Sequence, residues 1–294
     1  MSLTNPYTQQ SSVPKLGGIN CWVMKIALTL SSLFLLSIAA LGQQAEGTFK
    51  PVVGQPGKDV VWVPTPQETV DRMLDVAKVT PQDYVIDLGS GDGRNVISAA
   101  RRGARALGVE WNQEMVDLSK RVAGEAGLSG KAEFVQGDMY AADISQASVM
   151  ALFLLVDNMQ KLMPKFLELR PGTRIVANTF GFGDAGWEPD HTETVSSCTS
   201  WCTVHLWIVP ADVAGVWQLP QGTLTLTQKF QNVTGTLAGT AISNGKVQGR
   251  ELSFTVNETR YAARVDGNVM EDGSGTPRWR ATRSSRGDAT LQQR

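Results

Sequence analysis

The run Tyr84-Val85-Ile86-Asp87-Leu88 passes directly into Gly89-Ser90-Gly91-Asp92-Gly93-Arg94, and this junction constrains the fold more than any other part of the 294-residue chain. A buried strand that reaches a helix start through three alternating glycines must turn sharply. It also leaves its backbone open to a ligand at a distance no Cβ would permit. Glycines so placed read as a cofactor loop.

Downstream the same unit repeats. Strand-type runs at 84–88, 106–109, 132–135, 149–155 and 174–177 alternate with helical stretches near 94–102, 113–126 and 158–169. Gly103 and Gly127 stand where C-capping glycines belong. Ahead of the first strand, Thr65-Pro66-Gln67-Glu68 predicts a capping threonine, a proline at the first helical position and a glutamate two residues later. Val70, Met73, Leu74 and Ala77 then recur at helical spacing. Two antiparallel strands are expected at 192–197 and 203–209. The fold class is therefore α/β: a Rossmann-like, doubly wound sheet, mostly parallel with one antiparallel edge strand, and with ligands at the carboxyl ends of its strands. After Pro210 the texture changes to short β-type runs at 224–230, 233–237, 252–256, 261–265 and 278–282, with Asn244-Gly245 and Asp266-Gly267 as hairpin dipeptides. A small all-β antiparallel meander, sandwich or partial barrel is expected there, with Trp217 and Trp279 in its core. The expected division is 1–45 extension and signal peptide or anchor, 46–210 α/β domain, 211–285 β domain and 286–294 tail.

The ligand is constrained by charge. A pyrophosphate site usually spaces its glycines G-x-G-x-x-G, whereas this loop reads G-x-G-x-G with Asp87 before it and Asp92 inside it. Both acids would repel phosphate at short range. A cation suits them, and S-adenosylmethionine carries a sulfonium and an ammonium against one carboxylate. Glu110 lies 23 residues after Asp87, at the end of the second strand, where an acid can accept from two ribose hydroxyls. Asp138, with Met139 beside it, ends the third, within reach of an adenine amino group. Trp111 is placed either over an adenine face or against the sheet. The cofactor-binding set read from the chain is Asp87, Gly89, Ser90, Gly91, Gly93, Glu110, Trp111, Asp138 and Met139. At the acceptor side stand Asp157, to orient an ammonium or take its proton, and Asn158, to hold it through its carbonyl; helix capping by Asn158 is the alternative. Phe180-Gly181-Phe182-Gly183-Asp184, ending near Trp187, reads either as an aromatic rim around a lysine or as loop packing.

The residues from Asp87 to Gly93, with Glu110 and Asp138, resemble the motifs of class I S-adenosylmethionine-dependent methyltransferases, a resemblance that covers about 61–209. More narrowly, Val63-Pro64-Thr65-Pro66, Asp87 to Arg94, Leu152-Phe153-Leu154-Leu155 and Pro171-Gly172-Thr173-Arg174 are similar to the protein lysine methyltransferases acting on the ATP synthase c subunit and the adenine nucleotide translocase, a family with bacterial members. The resemblance implies a methyl transfer from the sulfonium to a protein lysine, with a membrane protein among the candidate acceptors. A small-molecule acceptor, and a non-catalytic cofactor-binding protein on the same fold, stay open.

A formal net charge of −1 offers no basic field for nucleic acid. Residues 26–41 form a charge-free run after Met24-Lys25, followed by Gly42-Gln43-Gln44-Ala45-Glu46, which reads as a signal peptide or a retained anchor, with Met24 as a candidate start. Export or membrane anchoring is thus expected, in tension with cytoplasmic supply of the cofactor. Cys198 and Cys202 lie beyond that run, an even count that admits one disulfide or two buried thiols. With His191 and His205 as the only histidines, a zinc site is not expected.

Overall fold

A computed structural model describes residues 49–273 and 279–286. The predicted signal or anchor segment lies outside the described residues. Among those described, no helix is long and apolar enough to cross a membrane. The described residues from Lys50 onward form one compact unit.

Its first layer is built from α1 (Gln67–Val76), β1 (Tyr84–Leu88), α2 (Arg94–Arg101), β2 (Arg105–Glu110), α3 (Gln113–Glu125), β3 (Ala132–Gln136), β4 (Val149–Leu152), α4 (Val156–Leu167), β5 (Arg174–Asn178), β6 (His191–Thr194) and β7 (Thr203–Ile208). The strands form one sheet in the order β3-β2-β1-β4-β5-β7-β6. β3, β2, β1, β4 and β5 are parallel, and β7 runs antiparallel to β5. The antiparallel strand is thus one place in from the edge, and β6, antiparallel to β7, forms the edge itself. Alternate residues of the central strands feed two buried cores. Ile86, Met150, Leu152, Ile175 and Ala177 face one side with Met159, Leu162 and Phe166 of α4. Val85, Val149, Ala151 and Val176 face the other with Val70, Met73 and Leu74 of α1. Burial on both faces is why these strands read as continuous apolar runs.

Three local expectations are corrected. Pro66, not Thr65, stands at the N-cap of α1, and no side chain caps it. Thr65 is instead buried, and its carbonyl accepts from Arg94 Nη1 at 2.6 Å. β4 ends at Leu152 because register with β5 stops at Leu152–Ala177, which frees Phe153 and Leu154 to leave the sheet. α4 begins at Val156, after an N-cap at Leu155 in extended backbone, so Asn158 lies inside the helix rather than capping it.

The second layer contains β8 (Gly215–Leu219), β9 (Gly222–Lys229), β10 (Asn232–Leu237), β11 (Thr240–Ala241), β12 (Ser243–Gln248), β13 (Glu251–Val256), β14 (Thr259–Asp266), β15 (Val269–Asp272) and β16 (Arg280–Arg286). They pair antiparallel in the order β11-β10-β12-β13-β14-β15-β16-β8-β9, and a β9–β10 pairing closes the ring. Of the expected meander, sandwich or partial barrel, the structure forms a barrel, and a closed one, which removes its free edges. Trp217, Leu224, Leu226, Phe254, Val265 and Trp279 belong to its packed core. Asn244-Gly245 does not make a hairpin. Asn244 has φ 52°, and the register shifts between Ser243 and Lys246, so the pair forms a bulge inside β12. The expected hairpin near Asp266-Gly267 does form, with Gly267 at φ 59° after the Asp266–Val269 pair.

The two layers share a core. Phe230, from the β9–β10 turn, is one of the apolar residues on the α4 side of the first sheet. It stacks on Trp187 at 5.6 Å, and Gln231 Nε2 donates to Glu188 O at 2.8 Å. Phe182 and Trp187, for which the sequence leaves a rim or loop packing open, belong to this core and are buried.

Candidate functional site

Three cavities meet at the carboxyl ends of β1, β2 and β4, and all three share Val63 and Phe153 in their walls. A strap over 54–62 supplies one side of them. It is folded back on itself by Gly54 N donating to Trp62 O at 2.9 Å and Trp62 N donating to Gln55 O at 3.0 Å. No helical or strand periodicity marks this segment in the sequence, where only Val63-Pro64, just past its end, stands out.

The glycine loop is shaped for close approach, and most of its amides are already bonded within the fold. Gly91 has φ 54°, and a Cβ there would lie 2.6 Å from Trp62 Nε1. The amides of Gly89 and Ser90 donate to Val109 O, that of Gly93 to Ser90 O, and that of Gly91 to Glu110 Oε2 at 2.9 Å. With these four donors spent inside the fold, the amides of Gly89, Ser90, Gly91 and Gly93 are not free for an anion. Arg94 grips Asp92 through two nitrogens and so neutralises it, while tying the loop to the start of α1.

Among the described residues Asp87 has no such cation. It is buried, and burial pushes its carboxyl well above the usual carboxylate range. Asn95 Nδ2, donating at 3.1 Å, opposes this, and the charges of Glu110 and Asp92 add to it. Beside it the buried Ser90 Oγ has no hydrogen-bond partner. Asp87, Gly89, Ser90, Gly91, Asp92 and Asn95 line the small cavity at the loop. A buried acid without a cation, next to an orphaned hydroxyl, fits a ligand that brings positive charge and polar atoms.

Gly89, Glu110, Trp111, Asp138 and Met139 line a second cavity of about 90 Å³. Glu110 accepts from the amides of Gly91 and Asn112, each at 2.9 Å, which fixes its carboxylate at the strand tip. Asp138 accepts from Tyr140 N at 2.9 Å and from Lys58 Nζ of the strap at 2.7 Å. The Lys58 hydrogen bond, with that of Tyr140, holds Asp138 below the usual carboxylate range. The same ammonium lies 4.3 Å from the centroid of Trp111, which is exposed rather than leaning on the sheet. Eight of the nine residues named from the sequence for the cofactor thus line these two cavities, and Gly93 does not. A Cβ on Gly93 would meet Phe134 and Ser119, so Gly93 serves packing.

A third cavity of about 160 Å³ is lined by Val60, Val61, Val63, Phe153, Leu154, Leu155, Phe180 and Trp201. None of these carries a charge. The structure does not bring Asp157 and Asn158 here. Asp157 is exposed in the first turn of α4, and Asn158 is buried with its Nδ2 donating to Tyr140 Oη at 2.8 Å. The start of α4 at Val156 turns both away. Among the described residues no group of acids, histidines and cysteines is arranged to hold a metal.

A family model described as the ANTKMT methyltransferase domain matches residues 87–191, which include the glycine loop, Glu110 and Asp138. The chain is similar to a protein-lysine N-methyltransferase of Saccharolobus islandicus, 40% identical over 153 residues, covering 51% of this chain and 94% of the relative. It is also similar to the mouse lysine N-methyltransferase named for the c subunit of ATP synthase, 39% identical over 118 residues, covering 40% of this chain and 47% of that protein. Among solved structures, an RNA methyltransferase from Salinibacter ruber in complex with S-adenosyl-L-homocysteine has 44% identity and a TM-score of 0.48, covering 51% of this chain and 96% of that one. Given the acid-flanked glycine loop and a relative matched along nearly its whole length, the chain belongs to the ANTKMT-type methyltransferase family, enzymes that use S-adenosylmethionine.

Proposed function

We propose that this protein N-methylates a lysine side chain of a protein acceptor. The observation that carries the reading is the join between two unlike cavities: a buried, cation-seeking Asp87 at one end, and an uncharged aromatic and aliphatic chamber at the other, with Val63 and Phe153 common to both. S-Adenosylmethionine, when bound, supplies a methyl group already activated on a sulfonium, so the protein has to align and to exclude water. In this reading Asp87 faces its positive charge with Ser90 alongside. Glu110, already oriented by two amides, keeps lone pairs for two ribose hydroxyls. Trp111, Asp138 and Met139 bound the adenine end, where Lys58 now stands between Asp138 and Trp111.

Among the described residues the acceptor end offers no base. An ammonium entering the uncharged chamber loses its water, which lowers its pKa and frees the nitrogen lone pair. Proton release to solvent then precedes transfer, with Asp157 and Asn158 outside the reaction. The rim supports an acceptor lysine flanked by apolar groups, since Val61, Leu155 and Trp201 line the chamber and are 56%, 47% and 40% exposed. Relatives named for a lysine of the ATP synthase c subunit and of adenine nucleotide translocase support a protein rather than a small molecule as acceptor. The run 26–41 and the bonded Cys198–Cys202 pair support a location outside the cytoplasm or at a membrane.

Radiolabelled donor, incubated with the protein and with membrane and soluble extracts, tests the reading. Label recovered as methyl-lysine after acid hydrolysis is expected. Label confined to small molecules, or binding of the donor with no labelled product, would overturn it.

A further inference from the structure

Phe153, Phe180 and Trp201 come from three separate segments and converge on one wall of the uncharged chamber. Their ring centroids lie 6.2 Å (Phe153–Phe180), 5.8 Å (Phe153–Trp201) and 5.5 Å (Phe180–Trp201) apart. Two of the three are held in place by backbone that side chains avoid. Trp201 itself has φ 58°, and Thr179, immediately before Phe180, has φ 59°. A β-branched threonine and a tryptophan in the left-handed region persist only where surrounding contacts over-determine them, and such positions cluster at functional sites.

The restraints can be named. Thr179 N donates to Thr203 O at 2.7 Å, and Phe180 N donates to Asn178 O at 2.6 Å. His205 Nε2 donates to Thr179 O at 3.2 Å, while its Nδ1 accepts from Thr192 Oγ1 at 2.9 Å. Around Trp201, Val195 N donates to Cys202 O at 2.9 Å, closing a short loop that the Cys198–Cys202 disulfide then pins across. Thr69 Oγ1 of α1 donates to Trp201 O at 3.4 Å, so the loop is anchored to the helix that follows Val63-Pro64.

We infer that Trp201 is an acceptor-specificity residue, forming with Phe153 and Phe180 the wall that receives the alkyl-ammonium of a lysine, and that the Cys198–Cys202 disulfide positions it. This rests on the methyltransferase reading above. Three aromatic faces without a carboxylate pack along the alkyl stem and deprive the nitrogen of water, which disfavours its charged form. A carboxylate in the same place would hold the proton on the amine. The wall therefore selects a lysine side chain and favours its neutral form. Reducing the disulfide frees Trp201 from its strained conformation and removes one third of the wall, which makes acceptor recognition dependent on redox state without touching the methyl-donor cavities.

The test uses S-adenosylhomocysteine and an adenosine-based bisubstrate compound in which a lysine side chain stands in place of the transferable methyl group. Calorimetry of the intact protein should show the bisubstrate binding at least about tenfold more tightly than S-adenosylhomocysteine. That gain should vanish in Trp201→Ala and in the Cys198→Ser/Cys202→Ser double variant, with S-adenosylhomocysteine affinity unchanged as the control for folding. Trp201→Phe should restore most of it. Tris(2-carboxyethyl)phosphine, which is oxidised as the disulfide becomes two thiols, should abolish the gain in the wild type and change nothing in the double variant. A bisubstrate no tighter than S-adenosylhomocysteine in the wild type, a gain retained in Trp201→Ala, or indifference to the phosphine would overturn the inference while leaving donor binding intact. Failure of S-adenosylhomocysteine itself to bind would instead overturn the methyltransferase reading on which the inference stands.

Discussion

Glu110 is held by two backbone amides and so presents a fixed carboxylate at the tip of β2. Replacing it with alanine should weaken S-adenosylhomocysteine binding by about 1–3 kcal/mol, the worth of lost charge-assisted hydrogen bonds, and calorimetry giving unchanged affinity would displace the ribose from this position. Asp83 offers a test of stability rather than binding. Burial pushes its carboxyl up, but hydrogen bonds from Ser148 and Thr80 and the charge of Arg174 outweigh this and hold it below the usual carboxylate range. A depressed folded pKa contributes stability that is present above the unfolded value and lost as pH falls through the folded one. Asp83→Asn should therefore cost about 1–3 kcal/mol near neutral pH. The difference from wild type in denaturant midpoints should shrink as pH falls below the usual carboxylate value and through the lower folded one, where the native carboxyl also protonates. A difference independent of pH would contradict the assignment. At this scale the gathering of Asp87, Glu110 and Asp138 was legible because these acids sit at strand tips, whose positions follow from the apolar runs before them. The orientation of Asp157 and Asn158 was not, since a place just after the fourth strand does not tell which way the following helix turns its first residues. A helix that starts at Val156 rotates both out of the chamber.

The β6–β7 hairpin presents Trp201, and its attachment to α1 is partly electrostatic. Arg72 of α1 pairs with Glu193 of β6, and that hydrogen bond is the main cause that takes the Glu193 carboxyl down to about 2. The clamp is complete above the ordinary glutamate value and lost as pH falls toward 2. Amide exchange in β6, corrected for its intrinsic pH dependence, should accelerate over that interval and should be fast at neutral pH in Arg72→Met; equal protection in the two proteins would remove the clamp from the account. The bulge in β12 depends on Gly245, where a Cβ would lie 2.1 Å from Val233 O. Gly245→Ala should lower the thermal midpoint for that reason. Element boundaries in the βα part were readable because period and glycine caps agree. The barrel was less so: Asn-Gly is the commonest hairpin dipeptide, and only the register of β10 against β12 makes it a bulge here.

For the whole molecule, the boundary after Pro210 separates the strands but not the cores. Phe230 leaves the barrel to stack on Trp187 beneath the first sheet, covering apolar surface beside α4. Phe230→Ala should cost about 3–5 kcal/mol and shift one cooperative unfolding transition, whereas two separate transitions would show that the layers fold independently. This docking could not be read from sequence, because a single aromatic at a turn carries no periodic signal. The change in texture, the parallel sheet and the acid-tipped strands could. They converge on one claim: that an uncompensated buried carboxylate and two further acids at neighbouring strand ends hold a cationic nucleoside. Calorimetric titration of S-adenosylmethionine into the purified protein tests it most directly. Saturable binding at one site per chain, weakened in Glu110→Ala and absent with NAD as titrant, is the predicted result. No binding of S-adenosylmethionine, or equal binding of both compounds, would contradict it.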